Sequence, residues 1–182
     1  MNWPAIESAI ESAITSALAG VPGLTVQWGN QRLPEPVRPY VKLKRGTVIG
    51  HGMAERRNET DLEQPAGQEI ELAVVQRVEF SVSVHAYAAG PVGSDTAGDI
   101  LEKLKARLLL ESNLVLLEAG GVALVETSDV RDLPESPANS WSSRAQMDAS
   151  FYATSVVSER TGYIATVDLT NETTGESFTA PE

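Results

Sequence analysis

Residues 70–86, IELAVVQRVEFSVSVHA, carry the most regular pattern in the chain and decide the class of its fold. Apolar side chains occupy almost every even-numbered position, while charged and polar side chains occupy most odd-numbered positions. Because successive side chains of a β-strand point to opposite faces of a sheet, this alternation predicts a strand with one buried face. Either one very long strand or two strands broken near Gln76 would produce it. A single strand of this length is more typical of assembling proteins than of enzymes.

Weaker alternation elsewhere predicts further strands on both sides of this segment. The C-terminal stretch, residues 163–179, is predicted as two short strands around a turn at 171–175 and carries few apolar residues. The other predicted strands are residues 24–28, 39–44, 122–125 and 145–153.

Two segments have the spacing of amphipathic helices. In residues 4–19, apolar side chains recur every four residues with alanines beside them, which places one apolar stripe along a helix. Residues 94–110 show a second stripe, with Ser94, Asp95 or Thr96 as the N-cap. The predicted buried stripes comprise Ile6, Ala9, Ile10, Ala13, Ile14, Ala17 and Leu18 in the first helix, and Ala97, Ile100, Leu101, Leu104 and Leu108 in the second.

The order helix, strands, helix, strands predicts an α+β fold. Strands that follow one another without intervening helices favour a mixed, mostly antiparallel sheet packed with the two main helices. Residues 1–158 are predicted to form one domain of this kind, and residues 159–182 a C-terminal hairpin or extension.

Residues 46–67 have no comparable pattern. They contain four glycines, the pair Arg56 and Arg57 among acidic residues, and little apolar periodicity. A loop of this length in a compact domain is usually functional or disordered, and in a homo-oligomer it could order only on a neighbouring subunit. We therefore predict a long loop or arm here.

The composition limits the environment and the ligands of the protein. With 182 residues, 42% of them hydrophobic, the chain can build a core, but it has no apolar run of 18 residues, so no membrane span is expected. The N-terminus lacks the pattern of a secretory signal, and the absence of cysteine fits a reducing cytoplasm. The formal charge of −11, from 14 basic and 25 acidic residues, disfavours tight nucleic-acid binding because acidic surfaces repel phosphate. It reflects either solubility alone or a surface that faces DNA without binding it.

A search for catalytic chemistry finds no candidate site. The two histidines, His51 and His85, have no cysteine or second histidine at metal-ligand spacing, and the sequence contains no nucleophile elbow or phosphate-binding loop. Glu7 and Glu11 lie one helical turn apart and are interpreted as a solvated helix face. We therefore expect no catalytic residue, no cofactor and no metal site.

Residues 28–41, WGNQRLPEPVRPYV, resemble a signature of phage neck and tail-terminator proteins, N-Q-x-x-P-x-P-x-x-P-Y followed by Val or Ile. The strand at 77–87 followed by the helix at 94–110 is a second point of similarity, and the run 130–134 leading into the closing strand is a third. Order and spacing agree over residues 1–155, so the resemblance covers most of the chain.

The resemblance implies a structural virion protein and not an enzyme. Such proteins form a six-fold ring at the head-proximal end of the phage tail, stop growth of the tail tube and join the tail to the head. The implied partners are further copies of the chain as a hexamer, the tail tube protein and a head-completion or stopper protein, with the sheath protein as a further candidate. DNA would pass through the lumen without tight binding, and assembly would take place in the host cytoplasm. The alternatives are another head–tail connector, such as a stopper or head-completion subunit, and, more distantly, a small binding module or enzyme.

Residues of the signature and several exposed cations are candidates for subunit contacts. The three prolines fix the chain between two strands, and Tyr40 supplies a large, partly polar anchor. A rigid internal turn with no contact role is the alternative interpretation. Tryptophan and arginine are frequent at interfaces, although tryptophans beside regular elements are also common in cores. The candidates are Asn30, Gln31, Pro34, Pro36, Pro39, Tyr40, Arg56, Arg57, Trp141 and Arg144.

Overall fold

The computed structural model of the protein describes most of the chain and divides it into two compact units. Unit 1 comprises Met1–Gly52 and Gln76–Ser155, and unit 2 comprises Met53–Val75 and Val156–Glu182. The residues described are 1–29, 34–61, 63–65, 68–88, 95–133 and 143–162, together with the backbone of 166–170 and 177–181.

Helices and strands follow one another in the predicted order, with some additions. The elements are α1 (Trp3–Ala17), β1 (Thr25–Trp28), β2 (Tyr40–Thr60), β3 (Ile70–Ala88), α2 (Ala97–Leu108), α3 (Glu111–Ala119), β4 (Val122–Thr127), β5 (Arg131–Asp132), β6 (Ser143–Thr161), β7 (Thr166–Thr170) and β8 (Ser177–Pro181).

The main sheet is mixed and mostly antiparallel, which confirms the predicted α+β class. Within the described residues its order is β1-β2-β3-β6-β4, with β5 also paired to β6. Strand β1 runs parallel to β2, whereas β4 and β5 run antiparallel to β6. The close approaches of Gly46 to Ser81 and of Gly50 to Gln76 move in opposite directions along the chain, so β2 and β3 are antiparallel. Strands β7 and β8 form a separate antiparallel pair.

Strand β3 is one continuous strand of 19 residues, so the interpretation as two strands broken near Gln76 was wrong. Its even-numbered residues are buried only from Val78 to Ala88, and Val74 is exposed. The alternation therefore predicted the strand correctly, but it overestimated how much of one face lies in the core.

Helices α1 and α2 bury the residues that the sequence predicted. Every position of the two predicted stripes is buried, and the helix residues join strand residues such as Phe80 and Phe151 in one core. Helix α1 begins after Asn2, whose side chain accepts from the Ala5 N–H. Helix α2 begins after Thr96, which forms a capping box with Asp99. These side chains bond backbone N–H groups that have no partner within the helix.

Helix α3 was not predicted. Residues 114–117 are continuously apolar, so the sequence shows no helical period there. In the structure this short helix buries only Asn113 and Leu117. The Asn113 amide donates to the Arg107 carbonyl at the end of α2 over 2.8 Å, so a buried polar contact fixes the turn between the two helices.

Residues 46–67 were predicted as a long loop or arm, and the interpretation as an irregular loop was wrong for most of this length, whereas a role as an arm stays a prediction. Strand β2 continues to Thr60, and every residue from 46 to 60 is exposed. A strand that is exposed on both faces needs no alternation of apolar and polar residues, so its sequence carries no strand pattern. Beyond this strand, the Asp61 N–H donates to the Glu69 carbonyl over 2.7 Å and closes the connection to β3.

Candidate assembly surfaces

Strands β2, β3 and β6 of unit 1 carry a second face, opposite the one that packs on the helices. On β3 the buried even-numbered residues lie in the core with the helices, and the half-buried odd-numbered residues point the other way. We call this side of the sheet the polar face. It comprises Tyr40, Lys42 and Lys44 on β2, Arg77, Glu79, Ser83, His85 and Tyr87 on β3, and Arg144, Asp148 and Tyr152 on β6.

Two aromatic rings and two arginines form one end of the polar face. Tyr40 and Tyr87 stack with 4.6 Å between ring centroids and 17° between ring planes. The guanidinium groups of Arg144 and Arg38 lie 5.4 Å and 5.9 Å from the Tyr87 centroid. Such distances allow cation–π attraction, which is strongest where water is excluded. The structure thus brings the predicted residues Tyr40 and Arg144 together through Tyr87, which the sequence did not single out.

Tyr40 is only 2% exposed, so its ring contacts its own subunit. Its hydroxyl donates to the Glu35 carboxylate in the proline-rich segment. Burial, followed by this hydrogen bond, raises the pKa of Tyr40 above its ordinary value. Tyr40 therefore ties the proline segment to the sheet, which matches the internal-turn interpretation and leaves its role in assembly a prediction.

The middle of the polar face holds a hydrogen-bonded group of polar side chains. The Ser83 hydroxyl donates to Asp148, and the Nδ1 atom of His85 lies 3.5 Å from an Arg144 guanidinium nitrogen. Burial, then Arg144 and the nearby lysines, lower the pKa of His85 despite the opposing effect of Asp148. A hydroxyl has a single donor, which Ser83 directs at the carboxylate, so the group does not have the serine–histidine–acid order of a catalytic triad.

Around Tyr152 the polar face carries a second ring cluster. Arg77 lies 3.8 Å from the Tyr152 centroid, and the His51 ring meets Tyr152 edge-on at 5.7 Å. The His51 Nε2 atom lies 2.7 Å from a Glu79 carboxylate oxygen. His51, predicted in a glycine-rich loop, is therefore a strand residue with partners on β3 and β6.

The outer half of β2 is the most exposed regular segment among the described residues. Met53 is 97% exposed and Ile49 is 53% exposed. Of the two predicted arginines, Arg57 pairs with Glu55 of the same strand at 3.0 Å, and Arg56 is exposed. A solvated ion pair of this kind contributes little to stability. The strand therefore gains little from this pair, and its apolar and cationic side chains remain largely exposed.

Unit 2 is held by polar contacts in the part that the structure describes. None of its described side chains is buried, and Val156 and Val157 are exposed. Arg160 pairs with Glu71 at 3.1 Å and donates to the Gln68 carbonyl at 3.4 Å. Exposed apolar residues are common on protein surfaces and mark an interface only where they form a large contiguous patch, so these two valines do not by themselves identify one.

Among the remaining predicted contact residues, the structure describes the three prolines. Pro34 is exposed, and Pro36 and Pro39 are half-buried in the segment that leads to Tyr40. Asn30, Gln31 and Trp141 lie outside the described residues.

Neither a metal centre nor a membrane span emerges from the part of the chain that the structure describes. There, no group of three or more His, Cys, Asp or Glu side chains is arranged to hold a metal ion. Among the same residues, no helix combines the length and the apolar character needed to cross a membrane.

Comparison with known proteins gives a family match and distant structural likenesses. The sequence model of a family described as phage neck terminator protein matches residues 8–177. No curated protein matches the chain. A sheath/tube terminator of an extracellular contractile injection system (PVC, extended state) is similar in structure, with 11% sequence identity and a TM-score of 0.40. That likeness covers 90% of this chain and 62% of the other one.

Proposed function

Because this chain belongs to the phage neck terminator family, we propose that it forms a ring at the head-proximal end of the phage tail, where it ends growth of the tail tube and joins the tail to the head. The ring would be a homohexamer that contacts the tail tube protein on one side and a head-completion or stopper protein on the other. A contractile tail would add the sheath protein as a partner. The role is structural, and we assign no catalytic step to the chain.

The observation that carries this proposal is the exposure of β2 from residue 46 to residue 60. A strand whose side chains stay largely in water gains little burial energy from its own subunit, whereas burying its apolar area on a partner is favourable by roughly 25 cal/mol per Å² before the entropic cost of association. Exposed strands also pair readily with other chains through main-chain hydrogen bonds. Met53 and Ile49 would be covered by such contacts.

The acidic composition supports a place around the DNA path. The chain has 14 basic residues against 25 acidic ones, so its surface repels phosphate on average. A ring of such subunits would let the genome pass without holding it, since tight DNA binding depends on many cationic contacts to phosphate.

Particles made without this protein provide the decisive test. A phage that lacks the gene should produce tails of uncontrolled length that do not join heads, as seen by negative-stain electron microscopy. A plasmid copy of the wild-type chain should restore tail length and joining. A copy with Glu102→Lys, a charge change on an exposed position of α2, should restore them equally and serves as the control.

The same experiment distinguishes a tail terminator from a stopper or head-completion protein. Tails of normal length beside DNA-filled heads that fail to join would assign the chain to the stopper or head-completion class. Infectious particles of normal appearance would contradict both functions. A virion location would be tested directly by detecting the chain in purified particles by mass spectrometry.

A further inference from the structure

Two lysines of the polar face form no ion pair with the described part of the chain. Lys42 and Lys44 stand two residues apart on β2, and no carboxylate lies within ion-pair distance of either among the described residues. Their positive charges also help to lower the pKa of His85, which lies on the same face.

The described carboxylates on this face, and Glu35 beside it, already contact other groups. Glu35 accepts from Tyr40, Glu79 contacts His51, and Asp148 accepts from Ser83. None of these three carboxylates forms an ion pair with Lys42 or Lys44, so both ammonium groups are open to a partner. Long lysine side chains can also extend into a neighbouring surface while their methylene groups stay packed.

A groove with acidic and hydroxyl side chains runs along the outer side of α1. It is open to solvent, has a volume of about 700 Å³ and is lined by Glu7, Ser8, Glu11, Ser12, Thr15 and Trp28 among other residues. Helix α1 contains no basic residue. The lining therefore offers carboxylate and hydroxyl oxygens, which are the acceptors that an ammonium group requires.

Glu11 is the open acceptor of this groove. Glu7 is 3.7 Å from Arg45 of its own subunit, whereas Glu11 has no cation within ion-pair distance among the described residues. Burial, followed by the neighbouring Glu7 carboxylate, raises the pKa of Glu11. A cation brought to this position would offset both effects, because a nearby opposite charge favours the ionised carboxylate.

The lysines and the groove cannot meet within one subunit, since the sheet lies between them. Helix α1 packs on the core face, where Trp3 contacts Phe80 at 5.2 Å between centroids, while Lys42 and Lys44 point from the opposite face. A heterologous, head-to-tail interface joins two unlike surfaces of one chain, and complementary charges on the two surfaces favour that contact.

We propose that Lys42 and Lys44 of one copy dock into the α1 groove of a second copy, where Glu11 accepts one ammonium and the hydroxyls of Ser12 and Thr15 assist. This inference rests on the proposed ring function and names the surfaces that meet in it. The partner is a second copy and not DNA, because the groove side of the contact is acidic and would repel phosphate.

Charge reversal in the purified full-length chain tests the proposal by sedimentation velocity across a concentration series. Lys42→Glu with Lys44→Glu, and separately Glu11→Lys, should each raise the dissociation constant of self-association by about tenfold or more, since each places like charges at every contact. A chain that combines Glu11→Lys with both lysine reversals should recover most of the wild-type affinity, because every contact again joins opposite charges. The neutral variants Glu11→Gln and Lys44→Gln should weaken association less and guard against misfolding of the reversed chains. Glu102→Lys, with unchanged association, is the control.

The possible outcomes of this experiment distinguish failure of the proposed interface from failure of the ring function. Reversed chains that assemble as the wild type does would overturn this interface and leave the ring function standing. Single reversals that weaken association without recovery in the combined chain would show that the two surfaces do not meet each other. Lysine reversals that abolish retention of duplex DNA but leave self-association intact would assign the face to phosphate instead. A wild-type chain that stays monomeric alone and on purified tail tubes would contradict the ring itself.

Discussion

The ring of Tyr40 lies stacked on the ring of Tyr87, with 4.6 Å between centroids. Tyr40 begins β2 and Tyr87 lies near the end of β3, so the antiparallel pairing of these strands places the two residues side by side. The hydroxyl of Tyr40 also bonds Glu35. One side chain therefore joins the sheet to the proline segment that precedes it.

Tyr40→Phe should keep the stack and remove the hydrogen bond to Glu35. We expect the free energy of unfolding to fall by about 1 kcal/mol, the usual net value of one hydrogen bond, since Glu35 is exposed and its charge is screened. Urea denaturation at neutral pH measures this change. Tyr40→Ala, which also removes the ring, should cost several times more, about 3–5 kcal/mol. Equal losses in the two variants would show that the ring contributes nothing.

The raised pKa of Tyr40 predicts a loss of stability in alkali. The folded protein holds the phenol proton more tightly than the unfolded chain does, so the contribution is complete below the unfolded pKa of about 10 and is lost as the pH rises further. Denaturation at pH values of about 9 and about 11 should show a smaller decline for Tyr40→Phe than for the wild type. Parallel declines would contradict the assignment.

The lowered pKa of His85 predicts a loss of stability in acid. Below about pH 6.5 the unfolded chain binds a proton at this position that the folded protein resists, so stability falls as the pH drops. His85→Gln should lose less free energy of unfolding than the wild type between about pH 7.5 and about pH 5. An NMR titration of the His85 ring would place its pKa below that of a model peptide, and a value above it would refute the prediction.

Gly120 and Gly98 form a matched pair for alanine substitution. A Cβ atom at Gly120 would collide with Ala9 of α1, whereas at Gly98, within α2, the nearest atom would be 3.7 Å away. Gly120→Ala should therefore destabilise the fold by about 1–3 kcal/mol through overpacking. Gly98→Ala should stabilise it by about 0.5–1 kcal/mol, because glycine has a low helix propensity. Thermal unfolding measures both, and a shift of the same sign in the two variants would argue against the close contact of α1 with the end of α3.

A substitution at Met53 should affect assembly without affecting folding. Its side chain is 97% exposed, so Met53→Glu should change the free energy of unfolding by no more than about 0.5 kcal/mol. Self-association should nevertheless weaken, because a charge would replace apolar area at a covered position. Sedimentation velocity measures association, with Leu109→Glu at the exposed end of α2 as the control. Unchanged association would place Met53 outside the interface.

The sequence by itself determined the parts of the fold that obey a local period. Helices α1 and α2 and the buried half of β3 have their apolar residues at the helical or strand spacing, because one face of each meets the core. The same rule failed where no face is buried. The outer half of β2 was predicted as a loop or arm and not as a strand, since exposure on both faces removes the selection for alternation.

Tertiary structure alone decided which side chains meet. Tyr87, Lys42 and Lys44 occupy ordinary polar positions of strands, and nothing local distinguishes them from their neighbours. Their partners come from strand register and from the side of the sheet on which α1 packs, both of which depend on pairing between segments far apart in the chain. Periodicity records whether a residue faces the core, but a contact such as that between Tyr40 and Tyr87 exists only once the strands have paired.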